Sequence, residues 1–144
     1  MNIFAISDLH LSLAAPFNEA SPDLTPLYKP MSVFGVRWDD ALSRLTSNWK
    51  EQISEEDAVL IPGDISWAMT MDEAKFDFAF LSALPGKKII SRGNHDYWWN
   101  GISKLRAALP DNIYPLQHDA IEVGGFAVCA TRGWTIPGRN DFKE

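Results

Sequence analysis

The sequence alternates short apolar runs with segments of helical spacing, and this alternation constrains the fold more than any other feature. The apolar runs are "NIFAIS" at 2–7, "DAVLIP" at 57–62 and "KKII" at 87–90. Short runs of this kind, bounded by charges or turn residues, are typical of buried strands. Since a helical segment follows each run, the order predicts an α/β domain with a largely parallel sheet.

Three segments supply the helical part of this alternation. Residues 38–53 and 101–109 have apolar side chains three and four positions apart, as amphipathic helices do. Residues 70–84 show the same spacing, and Thr70 and Glu73 stand at the positions of a capping box. We therefore predict a helix in each segment.

The end of the chain carries a hairpin signal. Two strand-like runs, "AIEV" at 120–123 and "FAVCAT" at 126–131, flank Gly124 and Gly125. The hairpin is expected to form an antiparallel edge of the sheet or the start of a second sheet. Cys129, the only cysteine, lies in the second run and is expected to be a buried free thiol.

A proline-rich segment separates the first predicted strand from the first predicted helix. Residues 11–37 contain four prolines, a density that excludes a long helix. Loops of this length are often functional lids or rims, and a surface insertion is the alternative. The segment is also the best local candidate for a specificity element.

Length and charge limit the classes of function. A chain of 144 residues fits one domain, residues 1–144, and it has no apolar run of the roughly 20 residues that a membrane span needs. Its formal net charge of −6 disfavours nonspecific nucleic-acid binding. The N-terminus lacks the basic region of a secretory signal, and one cysteine cannot form an internal disulfide. A cytoplasmic location is therefore expected.

Polar residues follow each of the three apolar runs. Asp8 and His10 come after the first run, Asp64 after the second, and Asn94 and His95 after the third. Ligands of open α/β sheets bind beyond the carboxyl ends of the strands, where these side chains would meet. On an extended backbone, Asp8 and His10 would also project to the same side.

The donor types indicate a metal site. Carboxylates, an amide oxygen and imidazole suit Mn, Fe, Zn or Mg better than soft metals. Gly63 and Gly93 precede two of the donors, and glycine permits a sharp exit from a strand and a close approach of the backbone to a bound group. No phosphate-binding P-loop and no serine-nucleophile elbow occurs in the sequence.

The polar motifs resemble those of a known family. "DLH" at 8–10, "GD" at 63–64 and "GNHD" at 93–96 are similar, in this order, to the opening motifs of the calcineurin-like metallophosphoesterases. The first two motifs are weak alone, whereas the last is specific. The longer strings "GDISW" and "RGNHDYWW" resemble a bacterial branch of the family.

This resemblance implies a role for each donor. Asp8 and His10 would hold one divalent ion, Asp64 would bridge two ions, and Asn94 would hold the second. His95 would act as general acid or stabilise charge on the phosphate. The implied function is hydrolysis of phosphate mono- or diesters by a metal-activated water at a dinuclear site, with Mn, Fe, Zn or Mg as cofactor.

The residues around these motifs can be interpreted in more than one way. Asp96 would orient His95, as carboxylates beside metal sites do, or would stabilise the loop. Arg92 would contact the substrate phosphate or form a surface ion pair. The aromatic residues 97–99 would wall a substrate cleft, with at least one of them packed in the core.

The resemblance also implies an architecture of two β-sheets flanked by helices. The chain would supply the first sheet layer and an incomplete second sheet, because it lacks the downstream histidine and the "G-H-x-H" pair of the family. His118 is interpreted as an ordinary loop histidine. Three alternatives follow: a truncated, inactive module that binds a metal or a partner, self-association or pairing with a missing C-terminal half, and an α/β domain whose polar rim is purely structural.

Overall fold

Four parallel strands form the centre of the molecule. The structure is a computed structural model, and it describes residues 1–134. Strands β1 (Ile3–Ala5), β2 (Ala58–Ile61), β3 (Lys87–Ile90) and β4 (Ile113–Pro115) lie in the order β1-β2-β3-β4, and every neighbouring pair is parallel. The predicted α/β fold with a parallel sheet is confirmed.

The three predicted helices are present. They are α1 (Ala41–Gln52), α2 (Met71–Ala83) and α3 (Ile102–Ala108). Helix α1 begins three residues later than the predicted 38–53, because Val36–Trp38 forms a short 3-10 helix instead. Within residues 1–134, no helix combines the length and the apolarity that crossing a membrane requires.

The capping residues predicted for α2 are both engaged. The Thr70 hydroxyl accepts a hydrogen bond from the backbone N–H of Glu73 at 3.3 Å. The Glu73 carboxylate accepts from the backbone N–H of Met69 at 2.8 Å. The Glu73 N–H, which the helix start leaves free, and the N–H of the residue before the N-cap are thus satisfied, as in a capping box shifted by one residue.

The sheet separates two cores of unequal size. On one face, Val59, Ile61 and Ile90 pack with apolar side chains of α1 and α2, among them Trp49 and Leu81. The opposite face carries a smaller cluster, whose buried members are Ala58, Ile89, Leu116 and Val123. The larger core therefore fixes the helices, and the smaller one lies under the C-terminal strands.

The predicted hairpin covers the smaller core. Strands β5 (Asp119–Val123) and β6 (Phe126–Ala130) pair antiparallel and form a separate two-stranded sheet. The expectation of a buried Cys129 is wrong, because its neighbours Val128 and Ala130 pack on the cluster while the thiol points to the outer face. The last residues of the chain, 135–144, lie outside the described part.

The expectation that the first apolar run forms a buried strand is also wrong. Ile3 is 37% exposed and Ala5 is exposed, whereas Phe4 is half-buried. Among residues 1–134, β1 has β2 as its only strand partner, so β1 is an edge strand. The burial of β1 depends on the elements that pack on it, and the apolar run alone does not specify those elements.

Hydrogen bonds within the proline-rich segment join residues 12–14 to residues 26–29. Backbone N–H groups of Ala14 and Tyr28 donate to the carbonyls of Pro26 and Ser12, at 2.8 and 3.0 Å. The Ser12 hydroxyl donates to the Lys29 carbonyl at 2.7 Å. Because the residue before Ser12, Leu11, bridges to the loop after β2, the segment lies at the carboxyl end of the sheet.

Candidate metal centre

The loops that follow β1 and β2 bring three donor side chains together. Asp8, His10 and Asp64 each offer a ligand atom, and these atoms lie within 4.8 Å of one another. His10 Nε2 is 3.9 Å from Asp8 Oδ1 and 3.8 Å from Asp64 Oδ2. These separations are too long for hydrogen bonds but suit donors that share one cation about 2 Å from each.

The backbone at all three donors is left-handed. The φ angles are 57° at Asp8, 46° at His10 and 52° at Asp64. Non-glycine residues in this region are uncommon, each costs about 1–3 kcal/mol, and they concentrate at functional sites. The surrounding hydrogen bonds must therefore hold these turns in place.

The prediction that Asp8 and His10 meet on an extended backbone is wrong. Strand β1 ends at Ala5, and left-handed turns bring the two side chains together instead. The Asp8 N–H donates to the Gly63 carbonyl at 3.2 Å, and the His10 N–H donates to the Asp64 carbonyl at 2.9 Å. Hydrogen bonds to the loop after β2 thus position the loop after β1.

Two glycines allow the loops after β2 and β3 to touch. A Cβ on Gly63 would lie 2.6 Å from the Gly93 Cα, and Gly63 also has a φ of +108°. A Cβ on Gly93 would lie 2.1 Å from Asp64 Oδ1. A larger residue at either position would push the two loops apart and displace Asp64.

Asp96 connects the same two loops from inside. Its carboxylate is fully buried, and burial raises its pKa while the N–H donors around it lower the pKa. The donors are the backbone N–H groups of Asp64, Ile65, Ser66 and Gly93 and the indole N–H of Trp98. Of the two roles considered for Asp96, these bonds correspond to stabilising the loop.

His95 lies beside the three donors. Its backbone N–H donates to Asp64 Oδ1 at 3.0 Å, and its ring centroid is 5.7 Å from that of His10. The Nδ1 atoms of His10 and His95 are buried and find no hydrogen-bond partner among residues 1–134. Burial lowers the pKa of His10 although Asp64 and Asp8 raise it, which favours the neutral imidazole that binds metals.

The remaining candidates lie around this group. Asn94 is exposed, in the turn after β3. Arg92 is half-buried, belongs to no ion pair between described residues, and its Nε has no hydrogen-bond partner there. Trp98 and Trp99 are buried in the core, whereas Tyr97 is 51% exposed near His95. His118 is exposed in the turn before β5.

Trp67 was missed as a site residue in the sequence. Its ring stacks on His10 at a centroid distance of 4.4 Å and lies 4.8 Å from the ring of His95. The ammonium of Lys29, from the proline-rich segment, lies 3.4 Å from the centre of the Trp67 ring. Trp67 therefore contacts both imidazoles and connects them to that segment.

Asp77 was also missed. It is fully buried on α2, where it accepts hydrogen bonds from the Leu13 N–H at 2.8 Å and the Ser66 hydroxyl at 2.5 Å. Burial raises the pKa of Asp77 to about 6. The available signal was its spacing with Ala74, Phe78 and Leu81, which puts an acid on the apolar side of the helix.

Comparison with known proteins agrees with this geometry. The family was expected to have two β-sheets flanked by helices, and the described residues form a four-stranded parallel sheet with helices and a separate two-stranded sheet. The family model "Calcineurin-like phosphoesterase" matches residues 1–143, and the chain belongs to this family. The resemblance seen in the motifs is therefore confirmed.

Other comparisons are sparse. No curated protein matches the chain. A crystal structure of a protein of unknown function from Aquifex aeolicus, AQ665, is similar at 24% sequence identity with a TM-score of 0.48. The match covers 87% of this chain and 56% of the Aquifex protein, so the chain spans little more than half the length of that protein.

Proposed function

We propose that the protein hydrolyses phosphate mono- or diesters at a site for two divalent metal ions. The convergence of Asp8, His10 and Asp64 within 4.8 Å supports the proposal most directly. Family membership supports the metal-dependent phosphoesterase chemistry. The strained backbone at all three donors adds support, because such strain persists mainly where function requires it.

The donor set fits divalent ions. Asp8 and His10 would hold the first ion, Asp64 would bridge, and Asn94 would hold the second as a neutral oxygen ligand. Mn, Fe, Zn and Mg all accept these donors, and we propose Mn²⁺ as the first ion to test. When bound, two divalent ions supply Lewis acidity that neutralises phosphate charge and lowers the pKa of a water molecule.

His95 would deliver a proton to the leaving-group oxygen. Its backbone N–H fixes Asp64, and its ring lies against Trp67 with a tilt of 59°. Imidazole is the commonest general acid of enzymes near neutral pH. Arg92, half-buried in the same loop, would contact the phosphate of the substrate.

The location is also part of the proposal. Cys129 is the only cysteine and is exposed, so the chain has no internal disulfide. Exposed free thiols persist in reducing compartments. We therefore infer a cytoplasmic protein.

The test is hydrolysis of p-nitrophenyl phosphate by the full chain with Mn²⁺ added. Asp64→Asn and His95→Ala should each lower kcat/KM at least about 100-fold, the upper range for losing a residue that only supports a ligand. Asp57→Asn, at the opposite end of the sheet, is the matched control and should keep its activity. Equal activity of all four proteins would contradict the proposal.

The second candidate is a module that binds a metal or a partner without catalysis. It is favoured by the grouping of three donors of the His, Cys, Asp and Glu types in residues 1–134, which is enough for one ion. Calorimetric titration with Mn²⁺, combined with the hydrolysis assay, separates the two candidates. Tight binding without turnover of any phosphate ester would favour the module.

A further inference from the structure

A cavity lies beside the candidate metal centre, between the proline-rich segment and α1. Its volume is about 300 Å³, and His10 forms part of its wall. This volume is at the lower end of the range for small-molecule pockets, about 300–1,000 Å³. A group that fills the cavity would therefore adjoin a phosphate held near Asp8 and Asp64.

The walls of the cavity are part apolar and part polar. The apolar part includes Leu27, Met31, Trp38 and Leu42. Trp38 is 37% exposed, so its ring is accessible to a planar group from solvent. Apolar walls with a few polar groups are typical of sites for ring-bearing ligands.

The charge of the walls selects against anions. Besides His10, the charged or titratable residues of the lining are Asp23 and Asp39, and no lysine or arginine lines the cavity. The Asp23 carboxylate is already engaged by the N–H and hydroxyl of Ser43. Asp39 is exposed and forms no ion pair with any described residue, so it can accept hydrogen bonds from a ligand.

We propose that this cavity binds the nucleoside part of a nucleotide substrate. The inference rests on the proposed function, since it names the leaving group for the same site. A nucleoside is neutral, carries a planar ring for Trp38, and has N–H and O–H donors for Asp39. A leaving group with a further phosphate would instead be repelled by the two aspartates.

Direct binding tests the cavity without metal or turnover. The full chain, free of metal, is mixed with the four common ribonucleosides, and saturation-transfer NMR reports contact. Ala41→Trp, which fills the cavity from the start of α1, should abolish the signals. Ser47→Trp, on the exposed side of the same helix, is the matched control and should keep them. Absence of any signal from the unaltered protein would overturn the inference.

Kinetics separate a failure of this inference from a failure of the proposed function. Ala41→Trp should raise KM for the nucleoside monophosphates at least about ten-fold, with little change for glycerol 2-phosphate, an ester whose leaving group is small. Trp38→Ala, which removes an exposed wall of the cavity, should shift KM in the same direction and serves if Ala41→Trp does not fold. Hydrolysis of glycerol 2-phosphate with no selective effect of either variant would overturn the inference alone. No hydrolysis of either substrate would contradict the proposed function.

Discussion

Buried polar groups at the two ends of the parallel sheet differ in how fully they are hydrogen-bonded. At the amino end, the Asp57 carboxylate accepts from the N–H of Asn2 and from the N–H and hydroxyl of Ser54. At the carboxyl end, buried nitrogen atoms of three residues have no hydrogen-bond partner among residues 1–134: His10, Arg92 and His95. Native proteins satisfy nearly all buried polar groups, so the exceptions need an explanation.

Lys88 extends the contrast. Its side chain is fully buried near the amino end, and its ammonium donates to the carbonyls of Leu84 and Gly86 at 2.5 and 2.8 Å. The Leu84 carbonyl lies at the C-cap of α2, where a helix leaves acceptors free, and the Gly86 carbonyl belongs to the turn before β3. The amino end thus uses its polar groups for stability. The carboxyl end keeps polar side chains available for a ligand, and three residues there, Asp8, His10 and Asp64, have a left-handed backbone.

Asp96 is an exception to this contrast between the two ends of the sheet. Its removal should cause the largest loss of stability. It lies at the carboxyl end but is hydrogen-bonded as fully as any group at the amino end. Asp96→Ala would leave several buried N–H groups without an acceptor, each costing about 1–3 kcal/mol, so we expect a loss of at least about 3 kcal/mol. Urea denaturation measures this loss, and calorimetric titration should show weaker Mn²⁺ binding. Mn²⁺ affinity equal to that of the unaltered protein would show that Asp96 does not position Asp64.

A smaller loss of stability is expected at the amino end from Asp57→Asn. Backbone N–H donors from Ser54 and Asn2, together with the Ser54 hydroxyl, lower the pKa of Asp57 to about 2. Since this pKa lies below the value of an unfolded aspartate, about 4, the stabilisation is present above pH 4 and is lost as pH falls through 2. The variant should therefore melt at a lower temperature at pH 7 and show a weaker dependence between pH 4 and 2. Thermal denaturation across this range checks the sign, and identical acid profiles would contradict it.

The smallest change in stability is expected from Asp77→Asn. Burial raises the pKa of Asp77 to about 6, so the folded state binds more protons than the unfolded state between about pH 4 and 6. The contribution of this group to stability is therefore complete below pH 4 and is lost as pH rises through 6. Asparagine keeps an acceptor for the Leu13 N–H and avoids the buried charge, so its cost at pH 7 should stay within about 1 kcal/mol. Urea midpoints from pH 4 to 7 should be flatter for the variant than for the unaltered protein.

Much of the fold was predictable because local patterns carry it. The segments 38–53, 70–84 and 101–109 each contain the helix that their apolar spacing predicts. Gly124 and Gly125, both with positive φ, form the turn of the predicted hairpin. These features depend on neighbours in the sequence, where helical and strand periods can be recognised directly.

The sequence predicted that donor side chains meet at this edge of the sheet, but not their backbone conformation or their aromatic neighbour. The convergence of Asp8, His10 and Asp64 follows from the order of strands in a parallel sheet. Their left-handed backbone and the contact of Trp67 with both imidazoles have no signal in residue spacing. Both depend on hydrogen bonds and packing between loops that are far apart in sequence.

The sequence by itself determined the α/β alternation, the family and the residue types available to a metal, because periodicity and ordered motifs are properties of the chain. Only the tertiary structure decided that Asp96 connects two loops, that Cys129 faces outward, and that a cavity adjoins His10. The physical reason is that burial and hydrogen bonding are properties of a residue's neighbours in space. Those neighbours are defined only in the folded protein.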